Sequence, residues 1–138
     1  MSDNNLEIKH DFIQWLFPIR TKSRFNPSAP VLNDESIAIT ISGSEIVENI
    51  RTSLDVIMAF YGWKINDTES DVIRLKKPMV WIKHTHNYDR ISRILSSLHL
   101  LQLSHLSELF FLAMCKTVKM TKNRNNKYLA SNTKPLYF

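Results

Sequence analysis

The sequence predicts a mainly α fold, a single compact helical domain of about four to five helices with a short β-hairpin or extended loop near residues 72–83. Three observations carry this reading. Apolar residues recur at three- and four-residue steps in four separate stretches of the chain. Only 2 glycines occur, too few for a hairpin-dense β-protein or a Gly-rich nucleotide loop. A length of 138 residues, 43% hydrophobic and 22% charged, suits one domain with its own core.

Taken in order, Ile8, Phe12, Trp15 and Leu16 mark a helix face between Leu6 and Phe17. That phasing puts Trp15 in the core and leaves His10, Asp11 and Gln14 as a polar edge. Pro18 cannot continue the helix and pushes Phe17 out of the α region. Thr21 to Pro30 reads as an extended loop, stiffened by Pro27 and Pro30 and pinned to the core by Phe25. Asn33-Asp34-Glu35 is a helix start, its acidic side chains facing free N–H groups, and that helix stops before Gly43.

Ser44 is the expected N-cap of the strongest helix, Glu45 to Tyr61. Its apolar stripe is Ile46, Val47, Ile50, Leu54, Ile57, Met58 and Tyr61, and Gly62 stands where a left-handed C-cap is wanted. Between Trp63 and Lys83 the helical period disappears. The β-prone runs Val72–Leu75 and Met79–Ile82, around Lys77-Pro78, pair as a hairpin or lie as extended loop. Helical spacing returns with Tyr88, Ile91, Ile94, Leu95 and Leu98. A last helix starts near Ser104, with Leu106, Leu109, Phe110, Ala113 and Met114 facing inward. Residues 1–121 form the helical domain and residues 122–138 a basic polar tail, whose final Tyr137-Phe138 could dock back on it.

The single Cys115 excludes an internal disulfide framework and fits a reducing compartment. Its apolar neighbours predict a buried, inert thiol. No run approaches the roughly 18 apolar residues of a membrane span. The N-terminus also lacks the order of a signal peptide, so the expected location is intracellular, cytoplasmic or nuclear. Net charge +5 and a pI near 9.4 permit an anionic partner without requiring one, and nucleic acid is not the expected one.

His10 to Pro18, together with Ser23, Phe25-Asn26-Pro27 and Ala29-Pro30, resembles the conserved N-terminal domain of the opioid growth factor receptor family. Members carry a similar Ile-Gln-Trp-Leu-Phe-Pro segment followed by Ser-x-Phe-Asn-Pro-x-Ala-Pro. A similar Asn-x-x-Arg-Ile-x-Arg-Ile-Leu-x-x-Leu run is met here from Asn87 through Arg90 and Arg93 to Leu98, with a similar Phe-Tyr-Gly at Phe60-Tyr61-Gly62. The likeness spans most of the chain, from His10 to Leu112. It implies a non-catalytic binding domain, since the family is named for growth-regulatory receptors of an opioid peptide.

Asn87, Arg90 and Arg93 share one side of their helix, a donor cluster suited to phosphate or carboxylate. Equally, Arg90 or Arg93 could pair with Asp11, Asp34 or Asp89 and lock two helices together. Were His10, Asp11, Gln14 and Trp15 to face that cluster, with Asn26 from the loop, they would form a basic, aromatic-walled pocket. The candidate ligand-binding residues are therefore His10, Asp11, Gln14, Trp15, Asn26, Asn87, Arg90 and Arg93, for a peptide or an anionic small molecule.

The alternative function is binding, sequestering or cleaving a phosphorylated small molecule or nucleotide, as a viral or microbial effector; a protein-interaction module is a third. No catalytic residue, metal or cofactor is assigned. His84-Thr85-His86 shares a strand-like face but has no further ligand at metal spacing. There is no nucleophile elbow, paired-carboxylate signature or phosphate loop.

Overall fold

Helix forms in all four periodic stretches, the first carrying two short segments in place of one run. The structure is a computed structural model and describes residues 3–8, 12–24, 26–84 and 86–127. Within them run α1 (Asp3–Ile8), α2 (Ile13–Leu16), α3 (Asp34–Ser42), α4 (Ser44–Tyr61), β1 (Trp63–Ile65), β2 (Val72–Arg74), a 3₁₀ turn (Val80–Lys83), α5 (His86–Leu100) and α6 (Ser104–Lys127). The chain is thus mainly α, with one small antiparallel sheet.

Capping chemistry sets the ends of α3 and α4. Asn33 Oδ1 accepts from Ser36 N at 2.8 Å while Ser36 Oγ accepts from Asn33 N at 2.8 Å, a reciprocal capping box. Gly43 ends α3 and is also the N-cap of α4, so Ser44 is that helix's first residue rather than its cap. Gly62 closes α4 in the left-handed region at φ 93°, as expected, its N–H donating to Ala59 O. The α4 stripe buries Ile50, Leu54, Ile57, Met58 and Tyr61. Ile46, in the first turn of the helix, stays exposed.

The hairpin differs from expectation in one strand. Val72–Arg74 pairs with Trp63–Ile65, in the register Trp63 to Arg74, and not with Met79–Ile82. Gly62 turns the chain sharply enough for Trp63 to begin a strand at once. Asn66 Oδ1 then closes the loop by accepting from Ser70 N and Asp71 N. The Met79–Ile82 run winds into the 3₁₀ turn because Trp81 is drawn inward, its indole N–H donating to Tyr61 O at 3.1 Å.

The hairpin is fastened to the helices on both sides. Trp63 donates its indole N–H to Thr117 Oγ1 at 3.0 Å on α6, and Arg51 of α4 pairs with Glu69 at the loop. Lys116 Nζ reaches Asp71 Oδ1 at 3.1 Å. Leu106, Leu109, Phe110, Ala113 and Met114 of α6 are buried as their spacing predicted, against Ile91, Ile94 and Leu98 of α5 and Tyr61, Leu54 and Met58 of α4. Tyr61 is the aromatic centre, 4.6 Å from the Trp81 ring and 6.1 Å from Phe110.

Two expectations for α6 change. Cys115 is exposed, because its turn presents Ala113, Met114 and Thr117 inward and leaves position 115 outside. The helix also runs on to Lys127, into the stretch read as a tail from residue 122. Phe25, Thr85 and Tyr137-Phe138 lie outside the described residues. Among the described residues no helix is long and apolar enough to cross a membrane.

Gly62→Ala tests the α4 cap. A methyl there would sit 2.6 Å from Arg74 Nη1, in a backbone region alanine avoids. We expect a loss of roughly 1–3 kcal/mol by urea unfolding with an unchanged m-value.

Candidate functional site

Three of the eight residues singled out in the sequence, Asn87, Arg90 and Arg93, rise from α5, and the structure places them against the N-terminal segment. The expected core face of α5 is buried, and most of its polar edge is buried with it. Asn87 is fully buried and Arg90 only 4% exposed, beside Ile91, Ile94 and Leu98. The reason is a set of partners that lie far away in sequence. Arg90 Nη1 donates to Leu6 O at 2.6 Å and to Asn87 Oδ1 at 3.4 Å, with its guanidinium 5.2 Å over the Phe12 ring. Asn87 Nδ2 donates to Trp81 O at 3.2 Å, and Tyr61 Oη donates to Asn87 Oδ1 at 3.4 Å. The polar residues of α5 are interior because interior carbonyls need them.

Arg93 sits one turn further along and is half-buried. Its Nε donates to Phe17 O at 2.9 Å and its Nη2 approaches Gln14 O at 3.4 Å. Burial lowers its pKa from the ordinary guanidinium value. Among the described residues Arg93 forms no ion pair with a carboxylate. The salt-bridge lock expected with Asp34 does not form either, for Asp34 pairs with Arg20 at 2.8 Å. Both arginines grip main-chain carbonyls.

Those contacts reverse the expected roles of Gln14 and Trp15. The single helix face read from Leu6 to Phe17 is instead two short helices, α1 and α2, and α2 buries Ile13 and Phe17 four residues apart. That phase carries Gln14 inward, to 8% exposure, and turns Trp15 outward, to 55%. Leu16 is exposed as well. Gln14 Oε1 is buried and has no hydrogen-bond partner among the described residues.

Asn26 belongs to the loop instead. Its N–H donates to Ser23 Oγ at 3.1 Å and its carbonyl accepts from Ala29 N, which folds the proline-rich stretch into a turn. His10 and Asp11 lie outside the described residues. The structure therefore brings Gln14, Asn87, Arg90 and Arg93 together, leaves Trp15 on the outer side of the same short helix, and places Asn26 in its own turn.

Tyr61, Phe12 and the carbonyls of Leu6 and Phe17 belong to this constellation and were read from the sequence only as packing. The clue available was Tyr61 itself, a phenol at the end of an otherwise apolar stripe that needs a partner when buried. His84 and His86 stand with ring centres 5.8 Å apart. Among the described residues no group of three metal-ligating side chains gathers.

The family model described as the opioid growth factor receptor conserved region matches residues 2–130, nearly the whole chain. The chain belongs to this family. The matched residues take in the Gln14-Trp15 segment and the helix of Asn87, Arg90 and Arg93. The opioid growth factor receptor of Homo sapiens is 32% identical over 107 residues, which is 72% of this chain and 15% of that protein. That of Mus musculus is 31% identical over 105 residues, 72% of this chain and 16% of that protein. The opioid growth factor receptor-like protein 1 of Xenopus tropicalis is 33% identical over 97 residues, 67% of this chain and 19% of that protein. The matches therefore span less than a fifth of these family members' length. No solved structure matches the chain.

The two arginines should differ in what they stabilise. Arg90→Ala strips a buried donor from Leu6 O and Asn87 Oδ1 and should cost about 3–5 kcal/mol. Arg93→Ala, at a half-exposed position, should cost about 1–2 kcal/mol. Urea unfolding of both variants checks the order, and equal losses would contradict it.

Proposed function

We propose that this chain is a non-catalytic ligand-binding domain whose ligand is a peptide. One observation supports the reading above the others. The polar side chains of α5 hold peptide groups, with Arg90 on Leu6 O and Arg93 on Phe17 O and Gln14 O. Donors that read main-chain carbonyls in the chain's own N-terminal segment are chemically suited to a peptide. Several family members are named receptors of an opioid growth factor, which agrees with that chemistry.

The phosphate or nucleotide reading has less support. It needs guanidiniums open to an anion, whereas Arg90 is buried against Leu6 O. Trp15 supports the peptide reading from the outside. A large aromatic residue on a helix anchored beneath by Ile13, Phe17 and Arg93 offers a rigid apolar contact next to exposed Leu16. A reducing intracellular setting, cytoplasmic or nuclear, fits the single cysteine.

Titration calorimetry of an enkephalin-like peptide into the protein tests this. A saturable isotherm is expected, weakened at least about tenfold by Trp15→Ala. The same substitution should leave stability within about 0.5 kcal/mol, because the side chain is mostly exposed. A flat trace at micromolar protein would sink the enkephalin-like version of the peptide reading.

A further inference from the structure

Gln14 and Arg93 share a defect that the fold does not repair. Gln14 is more than nine-tenths buried, yet among the described residues its Oε1 accepts no hydrogen bond. A buried acceptor left unmet is unfavourable, and native interiors rarely keep one without a reason. Next to it stands Arg93, whose Nη2 lies 3.4 Å from the Gln14 main-chain oxygen. The amide and the guanidinium are therefore within a side chain's length of each other.

Arg93 is a desolvated cation that meets only neutral carbonyls among the described residues. Its guanidinium carries more N–H groups than those two carbonyls occupy. The pair thus sets a buried, unmet acceptor beside a half-buried cation with donors to spare.

We propose that Gln14 and Arg93 form a subsite for an acylated α-amino-acid carboxylate, the group found at the C-terminus of a peptide. This rests on the peptide-binding reading above and specifies which end of the peptide is recognised. The carboxylate takes the remaining N–H groups of Arg93, a charge-assisted contact that a planar guanidinium makes well. The ligand's own amide N–H, two bonds from the carboxyl carbon, donates to Gln14 Oε1. Phosphate is the poorer fit, because it offers oxygens where Gln14 needs a donor.

The test is affinity selection on the immobilised full chain. The probes are a library of N-acetylated pentapeptides with free carboxyl termini, the same library amidated, and a mixture of N-acetyl amino acids. We expect the free-acid library to be retained at least about tenfold over the amidated one, the size of a single charge-assisted contact. N-acetyl amino acids bound as well as pentapeptides would still support the subsite and identify its occupant as a small acylated amino acid.

Arg93→Met should abolish the preference, but it also removes the bond to Phe17 O, so Gln14→Leu is the decisive variant. Filling the site with an apolar isostere should raise the melting midpoint by roughly 2–6 °C, because an orphaned acceptor is gone. The same variant should weaken retention of the free-acid library severalfold, because the ligand's amide N–H loses its acceptor. A residue with a merely structural role would move only the first of these readouts.

Equal retention of acid and amide overturns the subsite and leaves peptide binding intact. Retention of neither library overturns both. A thermal shift with inorganic phosphate equal to that with the free-acid library would reduce Arg93 to a general anion site and overturn the inference.

Discussion

Everything at the N-terminal side of this fold depends on the buried hydrogen bonds of Asn87 and Arg90. A guanidinium taken out of water costs several kcal/mol unless its N–H groups find acceptors. Arg90 finds one in Leu6 O, 84 residues away, and a second in Asn87 Oδ1. Asn87 in turn receives the Tyr61 hydroxyl and donates to Trp81 O. One network therefore joins the end of α4, the 3₁₀ turn, α5 and α1. Removing one member takes a hydrogen bond from its buried neighbours, so these four elements hold their positions together.

The network also explains which parts of the structure were legible in the sequence. Helices α4 and α6 announce themselves because their apolar residues repeat over enough turns for a period to be read, and Asn33 and Gly62 mark ends by capping chemistry that is local. Helix α5 was legible as a helix and misread as a surface. Asn and Arg are residue types that normally face water, and what drew them inward was a set of carbonyls whose nearness no local pattern records. The three-residue strand Trp63–Ile65 was too short for alternation to show. Its strand character came from a Trp63 that reaches Thr117 across 54 residues.

The candidate site shows the same limit at finer scale. Eight residues were singled out, His10, Asp11, Gln14, Trp15, Asn26, Asn87, Arg90 and Arg93, and of these Gln14, Asn87, Arg90 and Arg93 lie together. Orientation was another matter. A four-residue helix has no period of its own, so the rotation of α2 is decided by Ile13 and Phe17 finding the core and by Arg93 taking Phe17 O. Gln14 and Trp15 exchange fates as a result, the amide going inward and the indole outward. A rotation of about 100° per residue is all that separates the two outcomes.

Why such a segment is held by arginines and not by a larger apolar patch follows from what each can specify. Apolar burial decides which face of a helix turns inward but tolerates small slides and rotations, whereas a guanidinium bonded to one carbonyl does not. The bonds from Arg90 and Arg93 to the oxygens of Leu6, Gln14 and Phe17 fix the axial position and rotation of two helices of only six and four residues. Helices that short have little stability of their own. Substituting leucines for the arginines would bury more hydrocarbon and still lose the register that keeps Gln14 beside Arg93 and Trp15 in the open. The expense of burying a charge is, on this argument, the means by which a weak segment is made to present one defined surface.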